Sequence, residues 1–173
     1  MEINETFIKG LFVIKPKVFE DNRGYFFESY NKELFGKLGI PSDFVQDNQS
    51  MSDKNVLRGL HFQKEPFAQG KLVRVLKGSV LDVAVDIRKN SHTYGRHYKH
   101  ILSEENKLMM WIPEGFAHGF LTLENQTVFF YKCTTYYNKQ SEASILWNDP
   151  KLAIDWGITN PIISEKDAKS PLF

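Results

Sequence analysis

Cysteine is nearly absent from the chain: Cys133 is the single thiol in 173 residues. One cysteine closes no intrachain disulfide, so the fold must be held by its own core, and a reducing, cytoplasmic setting is expected. Cys133 sits in the apolar run "TVFFYKCTTYY", which predicts an inert buried thiol rather than a nucleophile. No apolar run approaches the roughly 18 residues of a membrane helix, so no membrane span is expected. The opening "MEINETFIKG" carries acids and no apolar segment, and no secretory leader is expected there. Net charge is only +1, without the basic footprint of a nucleic-acid binder. Repeats, low-complexity tracts and Pro/Ser-rich linkers are also missing. The length fits one domain, 1–173, able to bury a core without metal or disulfide staples.

What is abundant is aromatic and β-forming. Aromatic residues make up 14% of the chain, with fourteen Phe and seven Tyr, a composition that suits sheets and ring-binding pockets. "GLFVIKP", "GYFFESY", "KLVRVLKG", "SVLDVAVDI", "KLMMWIP", "GFLTL" and "TVFFYKCTTYY" all read as short strands bounded by turn residues. Only "NKELFGKLGI" reads as helical, limited by Gly36 and Gly39. Many short strands with almost no helix predict a mainly β fold, a jelly-roll barrel or sandwich with a few short helices. From Asn148 onward the chain reads as an irregular arm laid over the barrel, whose Leu152, Ile154, Trp156, Ile162 and Ile163 need a surface to cover.

Five histidines are present. His92, His97 and His100 lie in the polar, basic stretch "NSHTYGRHYKH" and read as exposed loop and strand residues. His61 and His118 differ. Each sits among glycine and aromatics, in "LRGLHFQ" and "EGFAHGF", where glycine often marks close backbone approach to a ligand. A tucked-in structural role and a ligand-facing role both fit them. Barrels of the cupin type often pair two such histidines two residues apart on a metal, but position 63 is Gln, and Glu65 is followed at once by Pro66. Isolated histidines hold a transition metal poorly, so no metal site is expected. Lys71, at the start of a strand, reads either as a solvated charge or as a stabiliser of a developing oxyanion. Tyr131, Tyr136 and Tyr137 read either as core and rim aromatics or as a proton donor and a stacking platform, and spacing does not choose. "SEKD" alone reads as a solvated charge cluster.

Taken together, "DNRGYFFE", "VQDNQS", "LRGLHFQ", "QGKLVRVLKGSVLDVAVDIR", "WIPEGFAHGF", "YKCTTYY" and "SEKD" resemble the dTDP-4-dehydrorhamnose 3,5-epimerase family over nearly the whole chain, in order and spacing. The resemblance implies a cupin-like jelly roll, a homodimer, and an enzyme with no metal and no cofactor. Its substrate would be a dTDP-4-keto-6-deoxy sugar, inverted at C3 and C5 through an enolate in dTDP-L-rhamnose biosynthesis. By that resemblance His61 is the base, Asp167 its carboxylate partner, Tyr131 the proton donor on the other face, and Lys71 the cation near the C4 oxygen. A histidine, with an ordinary pKa of about 6.5, suits the base. Arg23, Glu28, Gln46, Asn48, Arg58, His118, Glu142 and Lys166 carry over as substrate contacts, and Tyr137 as the platform for thymine. The "DNRGYFFE" segment is implied to reach the neighbouring subunit's site.

Two other enzyme readings compete with inversion of both centres. One is an epimerase of a single centre, C3 or C5, on a related nucleotide sugar. The other is a metal-dependent cupin, against which Gln63 argues. A non-catalytic nucleotide-sugar binding module would be expected to lack the base, the acid or the carboxylate, and His61, Tyr131 and Asp167 are all present.

Overall fold

The period-two runs become strands of two packed sheets. The computed structural model describes residues 1–40 and 43–173. One sheet has six strands, in the order β1 (Glu2–Glu5), β2 (Phe12–Lys15), β10 (Met109–Ile112), β7 (Lys71–Lys77), β12 (Thr127–Cys133), β5 (Gln46–Ser52). The other has five, in the order β13 (Glu142–Ser144), β6 (Leu57–Gln63), β11 (Phe116–Thr122), β8 (Ser79–Asp86), β9 (His97–Ser103). All the strand pairings within these sheets are antiparallel, and the alternation of the two sheets along the chain is that of a jelly roll. A separate hairpin, β3 (Phe19–Asp21) with β4 (Gly24–Phe26), stands apart from both. "GYFFESY" therefore forms an exposed ribbon rather than a sheet strand, and its three strand residues are all exposed.

Three apolar clusters hold the layers. Between the sheets lie Val73, Val75, Val80, Ala84, Leu102, Met110, Phe116, Phe120 and Phe129, with the Phe120 and Phe129 rings stacked at 4.0 Å. Each buried Val, Leu, Met or Phe side chain among them contributes about 1.5–3 kcal/mol. Outside the six-stranded sheet, α1 (Lys32–Lys37) caps itself with Asn31 and sinks Phe35 against Ile14, Leu72, Met109 and Trp111. Outside the five-stranded sheet, the C-terminal arm covers Leu57, Leu60, Val83, Val85 and Leu121 with Leu152, Ile154 and Trp156. Ile163 packs beside them, but Ile162 remains 60% exposed. Its backbone does the work instead, bridging Val56 and Asn55 and bringing the arm alongside β6.

The stretch "LRGLHFQ" is β6, and its alternation is broken in the middle. His118 of β11 pairs with His61, but Phe120 pairs with Arg58, so three steps on β6 match two on β11. This is a β-bulge with the extra residue on β6. Gly59 makes it possible: it has φ +131°, and a Cβ there would lie 2.6 Å from Gly119 Cα and 2.9 Å from the His118 carbonyl oxygen. The extra residue turns Arg58 and His61 toward the same cavity, while Leu57 and Leu60 face the arm.

Two sequence expectations are corrected here. His92 is exposed, but His97 and His100 are half-buried because β9 packs along β8, which places His100 opposite the buried Asp82. "SEKD" is not a solvated cluster. It is the short helix α2 (Glu165–Ala168), capped by Ser164, with Asp167 buried.

Gly59→Ala is expected to cost about 2–3 kcal/mol, because the contacts are with backbone that has nowhere to move. Calorimetry should then show a melting temperature roughly 5–10 °C lower, with a matching loss at Gly119→Ala, whose Cβ would meet the Arg58 carbonyl at 2.8 Å.

Candidate active site

The bulge sets His61 at the mouth of the sandwich, and the arm delivers its partner. Asp167 Oδ1 lies 2.7 Å from His61 Nε2 across 106 residues of sequence. The aspartate is almost fully buried and its other oxygen accepts the Gly59 N–H at 3.4 Å. Burial pushes the Asp167 carboxyl upward, but the His61 ring, the Gly59 amide and Ser164 together hold it below the usual carboxylate value. With Nε2–H donating to a carboxylate, Nδ1 of His61 is left with the lone pair that can take a proton.

A cavity of about 240 Å³ opens beside this pair, lined by Asn48, Arg58, His61, Lys71, His118 and Tyr131, with Gln49, Ser50 and Phe120. Its walls come from different sheets. His61, Arg58 and His118 belong to the five-stranded sheet, whereas Lys71, Tyr131 and Asn48 belong to the six-stranded one. Tyr131 and Lys71 share their wall, with Nζ 5.8 Å from the Tyr131 ring centre. Burial pushes the Tyr131 phenol above its ordinary pKa, so it keeps its proton. Burial pushes the Lys71 ammonium below the ordinary lysine value. Cys133, opposite Lys71 in register, is fully buried and burial raises its thiol pKa, as expected for an inert residue.

His118 has a carboxylate of its own: its Nε2 lies 3.0 Å from both oxygens of Asp82, a fully buried aspartate. This second pair was not read from the sequence. The signal was present, since Asp82 interrupts the otherwise apolar "SVLDVAVDI", and an acid in such a strand needs a partner.

Around the mouth runs a linked rim. Gln46 Nε2 donates to Asn48 Oδ1 at 3.0 Å, and Gln46 Oε1 accepts the Tyr137 N–H at 2.9 Å. The Tyr137 hydroxyl donates to Glu142 at 3.1 Å, and Glu142 pairs with Lys166 at 2.6 Å, one residue from Asp167. The Lys166 pair and the Tyr137 bond hold the Glu142 carboxyl below its ordinary value, against burial. β12 ends at Cys133, so Tyr136 and Tyr137 stand in the loop beyond it, separated from Tyr131. Gln63, at the position a second cupin histidine would take, ties this loop to the segment that follows β6. Its Nε2 donates to the Phe67 and Tyr136 carbonyls at 2.6 and 3.2 Å, and its Oε1 accepts the Asn138 N–H at 2.7 Å. Among the described residues no three His, Cys, Asp or Glu side chains gather as a metal-ligand group.

Two sequence-predicted residues lie outside this assembly. Arg23 is in the β3–β4 hairpin, paired with Asp21, and Glu28 accepts a hydrogen bond from Asn31 ahead of α1. Neither lines the cavity of its own chain.

Comparison with known proteins agrees over the full length. The family model for dTDP-4-dehydrorhamnose 3,5-epimerase matches residues 5–173. The dTDP-4-dehydrorhamnose 3,5-epimerase of Salmonella typhimurium is 55% identical, over 100% of this chain and 96% of its own. The crystal structure of the Elizabethkingia anophelis enzyme of the same name superposes with a TM-score of 0.96 at 52% identity, covering 100% of this chain and 96% of that one. The Legionella pneumophila dTDP-6-deoxy-D-glucose-3,5-epimerase, solved in complex with dTDP-4-keto-L-rhamnose, superposes at 0.95 with 51% identity, covering 99% and 92%.

Gln63→Leu leaves two carbonyls and one amide without their partner and is expected to cost about 1–3 kcal/mol. Hydrogen exchange of the Asn138 amide should then quicken by about tenfold or more, while strand amides of β7 and β8 keep their protection.

Proposed function

The chain belongs to the dTDP-4-dehydrorhamnose 3,5-epimerase family, and we propose that it is an isomerase that inverts C3 and C5 of dTDP-4-dehydro-6-deoxy-D-glucose to give dTDP-4-dehydro-L-rhamnose. The observation that carries this reading is the division of the cavity. A histidine on one sheet, paired with an aspartate from the C-terminal arm, faces a protonated tyrosine and a lysine on the other sheet. A flat sugar ring held between the sheets would have base and acid on opposite faces, which is what inversion at carbon requires.

The chemistry follows from the ketone. The C4 carbonyl acidifies the C–H bonds at C3 and C5. His61 Nδ1 takes one of these protons, and Asp167 steadies the imidazolium that results. The electron pair moves onto the C4 oxygen, where the Lys71 ammonium offsets the enolate charge in a water-poor pocket. Tyr131 returns a proton to the same carbon from the other face. Exchange with solvent restores the phenol and the neutral imidazole, and the second centre follows by the same steps. At about 240 Å³ the cavity suits the sugar ring rather than a whole nucleotide sugar. The diphosphate and thymine then lie along the rim, with Tyr137 as the stacking surface and Gln46, Asn48, Arg58, His118, Glu142 and Lys166 as contacts. Arg23 and Glu28, which do not line their own cavity, serve the site of a second copy in a homodimer. We place the enzyme in the cytoplasm, in keeping with its lone buried thiol, and read residues 1–173 as one domain.

The decisive experiment is turnover of the 4-keto substrate in deuterated water, read by NMR. Deuterium is expected at both C3 and C5; label confined to one carbon would establish the single-centre alternative. His61→Ala should lower turnover by about 10³-fold or more with the fold retained. Tyr131→Phe should slow inversion while leaving proton exchange from the His61 side measurable. Wild-type exchange in His61→Ala would remove His61 as the base.

The rate at high pH should report on Lys71. Burial lowers the Lys71 pKa, so the ammonium that offsets the enolate charge is lost at a lower pH than an ordinary lysine would lose it. The alkaline limb of kcat is therefore expected below the ordinary lysine value of 10.5, and Lys71→Arg should move that limb upward at reduced kcat.

A further inference from the structure

Asp167 acts from a helix too short to hold itself in place. α2 has four residues, and a single turn has no stability in water without tertiary support. Its carboxylate must nevertheless keep one distance to His61, and a misplacement of about 1 Å in a catalytic contact costs on the order of 100-fold. Within the arm, the Ser164 hydroxyl accepts the Asp167 N–H at 3.1 Å, and the Asp167 carbonyl accepts the Ser170 N–H at 3.2 Å. These bonds shape the turn. They leave open where the turn sits over β6.

Two contacts to β13 fix that. Glu142 and Ser144, two apart on the strand, face the same way. Glu142 grips Lys166 at 2.6 Å on one side of Asp167, and on the other side Ser170 Oγ donates to Ser144 Oγ at 2.9 Å. Ser144 is in turn the register partner of His61. The result is a closed ring. It runs from His61 to Ser144 through the strand pairing, on to Ser170 through the hydroxyls, to Asp167 through the backbone, and back to His61 through the 2.7 Å contact. The two grips differ in permanence. Lys166 is exposed, and an exposed ion pair holds weakly. On the function proposed above, on which this inference rests, Glu142 and Lys166 also turn to the substrate. Ser170 is buried, and neither it nor Ser144 lines the cavity. The hydroxyl pair is therefore the hold that stays closed during turnover.

We propose that Ser170 is a positioning residue: its hydroxyl, seated on Ser144, fixes the α2 turn over β6 and keeps Asp167 in line with the His61 ring. It acts on the rate through Asp167 and leaves substrate affinity alone.

The test is steady-state turnover of the 4-keto substrate by the full chain and by Ser170→Ala, Ser144→Ala and the two combined, with circular dichroism to confirm folding. Ser170→Ala is also made in an Asp167→Ala background, where deuterium uptake followed by NMR over hours keeps a slow rate measurable. Each single variant is expected to lower kcat by about fivefold, the scale of one neutral hydrogen bond, with KM unchanged. The combined variant should lose no more than either alone, because the same bond is gone. Without Asp167, removing the Ser170 hydroxyl should change nothing further. Ser144 is only half-buried, so Ser144→Ala decides the question if Ser170→Ala folds poorly. Wild-type kcat in the single variants, a loss carried by KM, or an equal loss in the Asp167→Ala background each overturns the assignment. Wild-type turnover by Asp167→Ala itself would instead remove the His61–Asp167 reading beneath it.

Discussion

The contact between Gly59 and Gly119 is the constraint on which the site depends. Two backbones meet where neither could carry a side chain, and β6 gains one residue over β11 as a result. Without that step, Arg58 and His61, three apart, would face opposite ways. With it, both face the cavity, and Leu57 and Leu60 stay on the side the arm covers. The bulge thus serves packing and chemistry together. It lets an apolar strand contribute two polar groups to one pocket without exposing its leucines.

The C-terminal arm is the second requirement. Its apolar residues bury the outer face of the five-stranded sheet, and its backbone bonds to Asn55 and Leu57 hold it beside β6. Only then does α2 bring Asp167 to His61. The carboxylate stays ionised despite burial because an imidazole, a backbone amide and Ser164 surround it. The rim repeats this economy, since Tyr137, Glu142 and Lys166 join the loop after β12 to the helix that carries Asp167.

Much of this was legible in the chain itself. Val-, Ile- and Phe-rich runs announced β2, β7, β8, β10, β11 and β12, because a half-buried strand shows its period in its own residues. Strands with polar composition gave no such signal: β1 reads EINE, β3 reads FED and β9 reads HYKHILS. α2 is a single turn of charged residues, too short for helical periodicity. Asp167 was identifiable only through family resemblance, since its burial depends on a partner 106 residues away. The Asp82–His118 pair was missed for a related reason: which of two acids in "SVLDVAVDI" meets a histidine depends on the register of β8 and β11. Ile162 shows the limit of hydrophobicity as a guide, being anchored through its backbone while its side chain stays in solvent.

The division of the proposed acid and base between two sheets has a mechanical side. The distance between the two cavity walls is the thickness of a sandwich, and packed sheets keep to about 10 Å. Phe120, which lines the cavity, and Phe129, stacked on it, act as spacers in a calliper whose jaws are β6 and β12. The gap offered to a sugar ring is therefore set in the hydrophobic core rather than at the rim. A change of volume at Phe129, which does not line the cavity, would act on the substrate without touching it, and the core becomes a place where selectivity between ring shapes can be tuned.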